Sequence, residues 1–423
     1  MTFNKADILL PSFSADSDKM NKWSVVACDQ YTSQPDYWNK VTDCVGDAYS
    51  TLRLTVPEIY LNDSDIDTRI ENVNKTMDKY LEQGVFEEYK NTYVYVERVL
   101  ANGVVRKGIV GAVDLEDYDY SKDSKTKVRA TEGTVVSRIP PRLKVRNNAV
   151  VELPHIMLLI DDESCDIIES NSLIKDSFEK LYDFDMMQNS GHITGYKMSE
   201  SACEAFDKKL ASLDDINAFN SKYGVNETSP LIFAMGDGNH SLATAKAYYE
   251  NLKKEIGDDK AKNMPARYAL CELVNLHDSS LVFEAIHRVI FDIDADNYLK
   301  ELGEKFTLSF EEDAVGQSFV FVSEGNAKKV TVTNPEEYLT VATLSTFTDD
   351  YVSHHGGEID YIHGEDVVMD LCKSGNNVGL ILDAMEKTDL YKSVILDGAL
   401  PRKTFSMGDA CDKRFYIEAR KIK

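Results

Sequence analysis

The segment Pro230–Lys246 carries the clearest chemistry in the chain. A continuous apolar stretch, Leu231–Met235, runs into Gly236, Asp237, Gly238, Asn239, His240 and Ser241. Leu242, Ala245, Tyr249, Leu252 and Ile256 then follow at helical spacing. Two glycines permit a tight strand-to-helix turn, and the free N–H groups of the helix start form a site for phosphate or carboxylate. Asp237 and His240 sit in that turn with side chains suited to acid–base work or to metal binding. A plainer alternative stays open, in which Asn239 or Ser241 caps the helix and His240 is an ordinary surface residue. The Walker A pattern is absent. Gly236 and Gly238 match the start of a dinucleotide fingerprint, but Ser241 holds the third glycine position and no acidic residue ends a second strand about 20 residues on.

A second group lies in a basic island. Between Lys122 and Arg146 eight basic residues face Asp123 and Glu132, a local charge of +6 against −31 for the rest of the chain. Such an island calls for an anionic ligand or for internal acidic partners. Arg138 and Arg142 bracket Pro140-Pro141, which should hold the backbone stiff while the guanidinium groups make bidentate anion contacts. Glu132 is either a general base or a salt-bridge partner.

Further candidates are dispersed. On a strand spanning Phe283–Phe291, alternation sends Glu284, Ile286 and Arg288 one way and Ala285, His287 and Val289 the other. His287 is then equally suited to a satisfied core place or to a ligand. Arg402 and Lys403 offer more anion contacts, and Asp29 follows the apolar Val25–Ala27 where a strand end would present it. His354, His355, Glu358 and His363 have metal-ligand types, but their spacing fits no ligand pattern, and a loop and turn are expected there. No metal ligands are assigned.

Several elements must position these groups. Asn102-Gly103 predicts a hairpin between strands Tyr93–Val99 and Gly108–Leu115. Ile70, Val73, Met77 and Leu81 predict a preceding helix that stops at Gly84. Further strands are expected at Ile156–Ile160, Leu231–Met235, Tyr268–Asn275 and Val282–Phe291, with helices between the first three. Two or three short strands are expected within Phe306–Val332. The C-terminal part should give strand Asp360–Ile362, helix Glu365–Cys372, strand Val378–Leu382, helix Asp389–Leu396 and strand Arg414–Ala419. This is a mixed α/β (α+β) pattern with mixed or antiparallel sheets. No linker separates its parts, and regions 1–150, 151–295 and 296–423 are the expected division.

Composition narrows the function. The 423 residues hold 47 Lys and Arg against 72 Asp and Glu, a net charge of −25, with 43% hydrophobic residues. That describes a folded acidic protein that repels nucleic acid and anionic membrane surfaces. Seven scattered cysteines without a C-x-x-C pair point to reduced thiols and a cytoplasmic address. The apolar run Ile156–Ile160 is far short of the ~20 residues a membrane helix needs. Oligomeric state is not legible in the sequence.

Together, Asp29–Pro35, Thr131–Thr134, Arg138–Arg142, Glu152–Met157, Gly236–His240, Ile286–Val289, Tyr361–Gly364 and Leu400–Gly408 resemble a family of prokaryotic proteins catalogued as domain of unknown function 1015. The likeness covers essentially the whole chain. Its strand-turn-helix motif, Asp-Gly-His-His-Arg in many members, is similar to the turn of the ParB/sulfiredoxin-like superfamily, which includes a free-serine kinase. Asp237, Gly238 and His240 match, Asn239 replaces the first His and Ser241 replaces the Arg. The resemblance implies a ParB/sulfiredoxin-like core with additional α/β regions and a turn that contacts nucleotide phosphates. Arg138, Arg142, Arg288 or Lys246 would supply the charge of the replaced Arg. The expected ligand is a nucleotide, ATP or ADP with Mg²⁺, or another small phosphorylated anion. The expected role is a small-molecule phosphotransferase or phosphohydrolase, or alternatively a non-catalytic metabolite-binding regulator.

Overall fold

Period-two alternation sends Val94, Val96, Val110 and Ala112 into one apolar core and Tyr93, Tyr95, Ile109 and Val113 into another. This is seen in a computed structural model that describes residues 1–373 and 375–423. The strands that carry them, Val94–Val99 and Val105–Asp114, form the expected hairpin, with Gly103 at φ 83°. They sit inside a ten-stranded mixed sheet. Tyr268–Asn275 continues the sheet antiparallel to Val105–Asp114, then lies parallel to Met157–Ile160. Met157–Ile160 pairs antiparallel with Phe233–Asp237, which runs parallel to Val128–Arg129.

Helices cover both faces of this sheet, which is why its central strands are mostly apolar, with a few buried polar groups such as Glu272 and Asn275. Ser17–Trp23, Pro35–Val45 and Ile66–Glu82 bury Trp23, Trp38 and Ile70 in the first core. Glu200–Ala211 and Asn239–Ile256 bury Phe206, Leu242 and Tyr249 in the second. The fold is mixed α/β, as the pattern predicts.

The chain divides into two compact units rather than at 150 and 295. One contains Met1–Ala130, Thr134–Leu281 and Gly408–Lys423, and the other Thr131–Gly133 and Val282–Met407. The second unit has an antiparallel six-stranded sheet, in which His287–Phe291 lies between Val378–Ile381 and Glu358–Ile362.

Local corrections have physical causes. The expected strand over Val282–Phe291 breaks at Ile286 into Phe283–Ala285, paired with Phe405–Met407, and His287–Phe291. The expected strand Arg414–Ala419 makes only single bridges at Phe415 and Ala419, and the ladder forms at Arg420–Lys421. There the chain is anchored instead by buried ion pairs of Arg414 with Glu272 and Glu418. Pro140 and Pro141 open a short helix, Ile139–Arg146, where missing N–H groups cost nothing. His354 and His355 end the helix Thr340–His355 rather than lying in a loop, and His355 pairs with Glu301 at 2.9 Å.

Candidate functional site

Strand Phe233–Asp237 ends at Gly238, whose φ of 80° turns the chain into helix Asn239–Ile256. A Cβ on residue 238 would stand 3.0 Å from Ile156 Cα, so the turn needs glycine for both conformation and space. Gly238 is itself the cap, and its carbonyl accepts the Ser241 and Leu242 N–H groups at 3.0 Å each. Neither Asn239 nor Ser241 caps by its side chain. The Asn239 and His240 N–H groups, at the first two helical positions, have no acceptor inside the helix.

Ser241 is turned to a different task. Its Oγ lies 2.6 Å from His155 Nε2, while His155 Nδ1 lies 2.9 Å from the Tyr416 hydroxyl. The Tyr416 oxygen also accepts the Cys28 N–H at 3.0 Å. Either ring nitrogen can carry the hydrogen. With it on Nε2, Ser241 accepts from His155 and keeps its own hydroxyl hydrogen for a ligand; with it on Nδ1, His155 accepts the Ser241 hydrogen.

Charged groups surround this relay. Asp29 Oδ2 stands 3.9 Å from His155 Nε2. Burial pushes the Asp29 carboxyl up, but His155, the Gln30 hydrogen bond and Lys413 outweigh it and hold it below the usual range. Asp237 donates nothing and accepts twice: Oδ1 takes the Gly238 N–H at 2.8 Å, and Oδ2 pairs with Lys413 at 3.3 Å. Arg142 pairs with Glu58 and donates to the Arg138 carbonyl at 2.7 Å. Arg138 is exposed.

His240 is half-buried, and its Nε2 has no hydrogen-bond partner among the described residues. Burial first, then the positive charges of Arg142 and Arg138, push its pKa down to about 4 against the pull of Asp29. It is a neutral imidazole at pH 7. Beside it, a cavity of about 150 Å³ has a polar wall of Cys28, Glu58, Arg142, His155, Ser241 and Tyr416.

The structure thus brings together Asp29, Arg138, Arg142, Gly236, Asp237, Gly238, Asn239, His240 and Ser241 in one unit. The other unit holds Glu132, His287, Arg288, Arg402 and Lys403. There Glu132 bridges to Leu400, and Arg288 donates to the Lys403 carbonyl at 2.9 Å. Burial lowers Arg288 to about 10, against Tyr361, Asp349 and Glu132, which raise it. His287 is buried, and its Nδ1 accepts the Leu382 N–H at 3.2 Å, the satisfied core place rather than the ligand's. Lys246 turns to the Leu115 carbonyl and to Glu250, so it does not replace the family's Arg.

Most of the basic island is internally neutralised. Lys125 and Arg129 pair with Glu227, Lys127 with Asp214, Arg142 with Glu58, Lys144 with Asp67 and Arg146 with Glu152. Two groups have metal-ligand types, Asp161-Glu163-His277 and Asp409-Cys411-Asp412. In the first, Lys222 already stands 2.9 Å from Asp161 and 3.1 Å from Glu163 as the counter-cation.

Sequence reasoning did not single out His155, Glu58, Lys413 or Tyr416. His155 had a signal, since it lies in the Glu152–Met157 motif. Lys413 and Tyr416 had none, because only the fold returns the C-terminal segment beside Val25–Ala27.

Among the described residues, no helix is long and apolar enough to cross a membrane. No curated protein matches the chain. Similar solved structures include a conserved hypothetical protein from Pyrococcus furiosus, at 11% identity over 74% of this chain and 94% of that one, with a TM-score of 0.35. A free serine kinase in complex with AMP is 11% identical over 74% and 91%, with a TM-score of 0.39. SbnI from Staphylococcus aureus, truncated at its C-terminus, is 9% identical over 73% and 82%, with a TM-score of 0.36. The family model described as Protein of unknown function (DUF1015) matches residues 10–349, and the chain belongs to that family.

Proposed function

We propose that the protein binds a nucleotide, ATP or ADP, or another small phosphorylated anion, with phosphate at the start of helix Asn239–Ile256. The observation that carries this reading is the grouping around one turn of the Asn239 and His240 N–H groups, which have no acceptor inside the helix, the Ser241 hydroxyl and the exposed Arg138, with Arg142, paired to Glu58, beside them. Asp29, whose Oδ2 stands 3.9 Å from His155 Nε2, and Asp237, paired with Lys413 at 3.3 Å, are the carboxylates nearest the turn that would hold Mg²⁺. Bound Mg²⁺ would neutralise phosphate charge. Glu132 has no part in this reading.

In a phosphotransferase, little proton removal is needed before the transition state, and positioning with charge stabilisation does most of the catalysis. His240 would then orient an acceptor hydroxyl through Nε2. One observation favours the second reading, a non-catalytic anion-binding regulator: a histidine with a pKa of about 4 is a weak proton acceptor.

Calorimetry with ADP, ATP and inorganic phosphate, with and without Mg²⁺, tests the binding claim. Saturable heat that disappears in the Arg138→Ala, Arg142→Ala double variant supports it, and no heat at millimolar nucleotide overturns it. AMP or ADP release in the presence of small hydroxyl compounds separates the enzyme from the regulator.

A further inference from the structure

The cavity beside Ser241 measures about 150 Å³ and opens to solvent. A volume of that order takes one small molecule of about the size of benzene.

Its lining states what that molecule is. Opposite the polar wall lie Leu54, Val56, Met77, Ala149 and Leu270, all buried. The part-exposed lining residues include Glu58, Arg142 and Ser241 together with Leu61, Val145 and Leu153, so the entrance is mixed and the buried floor apolar. No charge in this lining is left over. Glu58 and Arg142 pair with each other, and Glu152 pairs with Arg146 at 2.6 Å and with Arg420 at 2.8 Å. Cys28 is a neutral thiol, pushed up to about 12 mainly by burial, and burial keeps the Tyr416 phenol neutral as well. The Ser241 hydroxyl, 2.6 Å from His155 Nε2, is a neutral polar group of this lining that can hydrogen-bond an occupant.

The geometry points to a binding site for a small uncharged amphipathic molecule, an aliphatic alcohol or amide, whose polar end hydrogen-bonds Ser241 and whose chain lies on Leu54, Met77 and Leu270. An ionised ligand would bring an unpaired charge against a wall whose own charges are already matched. The floor of this site takes no part in the proposed nucleotide binding, but Ser241 borders both, so the small molecule and a phosphate at the turn share that hydroxyl.

Butyramide, butyrate and butylammonium share one chain and differ in charge, which makes them the probes. In NMR titrations, butyramide should shift the Met77 methyl and Ser241 amide resonances saturably, with the two ions at least about tenfold weaker. Ala149→Leu and Leu54→Phe fill the floor and should remove the butyramide shifts while leaving ADP heats unchanged. Tighter binding of either ion, shifts that persist in a natively folded floor variant, or no saturable shift with any probe overturns the inference. If neither variant folds, the ranking of the three probes decides. Loss of ADP binding with retained butyramide binding would sink the nucleotide reading and leave this one standing.

Discussion

His155 Nε2 meets Ser241 Oγ at 2.6 Å although the two residues lie 86 positions apart. The contact joins the turn to the segment after Val151–Glu152, and through Tyr416 to the C-terminal segment. Removing the hydroxyl leaves His155 Nε2 without a partner in a place where the residue is only 8% exposed. Ser241→Ala should therefore cost about 1–2 kcal/mol in urea unfolding, the penalty of an unsatisfied buried polar group. It should also weaken ADP binding, because the same hydroxyl borders the proposed phosphate site. Unchanged stability would mean that His155 finds another partner and that the relay does not hold Ser241 in place.

Arg142 has two jobs that one substitution separates. It neutralises Glu58, with both side chains about one-sixth exposed, and it depresses His240. Arg142→Met keeps most of the stem and removes the charge. Stability should fall by about 1–3 kcal/mol as Glu58 loses its partner in a largely buried place. The His240 pKa should rise from about 4 toward 6.5, read from its imidazole resonances over a pH titration. A His240 pKa that stays put would show that burial alone sets it.

Much of the scaffold was legible because local and global preferences agree. Leu242, Ala245 and Tyr249 repeat at helical spacing and all three are buried, and Tyr268–Asn275 is mostly apolar because both its faces are covered, Glu272 and Asn275 being its buried polar exceptions. The Gly238 turn was legible for the same reason, since only glycine fits there. The rest of the site depends on long-range assembly. Glu58, His155, Lys413 and Tyr416 reach the turn from four segments, and no local spacing records that. The basic island misled where its charges are paired: five of the six acid-bound side chains find Glu58, Asp67, Asp214 and Glu227 from distant segments, and Arg146 finds Glu152 just beyond the island.

The depressed His240 pKa links the site to acid stability. The folded state holds the ring neutral down to about pH 4, whereas an unfolded chain protonates it near 6.5. Between those values the unfolded state binds more protons, so stability must rise with pH across the window. The contribution is complete above 6.5 and is lost as pH falls toward 4. His240→Asn should flatten this part of the pH dependence of urea midpoints relative to the parent chain. An equal slope in both proteins would assign the dependence to other groups.

Gly238 and Gly224 distinguish backbone strain from steric conflict. Both have positive φ, 80° and 67°. A Cβ at 224 meets nothing within 4 Å, whereas one at 238 meets Ile156 Cα at 3.0 Å. Gly224→Ala should cost about 1–2 kcal/mol, the left-handed penalty alone. Gly238→Ala must also displace the chain before Met157–Ile160, so its cost should be larger, and it should disturb ligand binding by moving the helix start. Equal costs in chemical unfolding would mean that the turn relaxes without moving the neighbouring strand.

Glu272 connects the central sheet to the segment that delivers Lys413 and Tyr416. It is 2% exposed, pairs with Arg414 and lies 4.0 Å from Arg106, and Arg414 holds Glu418 at 2.6 Å. Burial favours the protonated acid, yet Arg414, Arg106 and Arg98 hold its pKa below the usual range. The neighbouring strand makes room for this carboxylate with Gly108, where a Cβ would stand 2.8 Å from Glu272 Cγ. Glu272→Gln keeps the shape and removes the charge, leaving Arg414 with an incomplete set of buried partners. The expected cost is about 3–5 kcal/mol, the range for breaking a buried pair by removing one member. Since Arg414 lies between Lys413 and Tyr416, loosening it should also weaken ADP binding at sub-denaturing conditions, with the Tyr416–His155 contact disrupted first. If Glu272→Gln lowers stability while ADP affinity is unchanged, the network serves the fold alone and the C-terminal segment does not tune the turn.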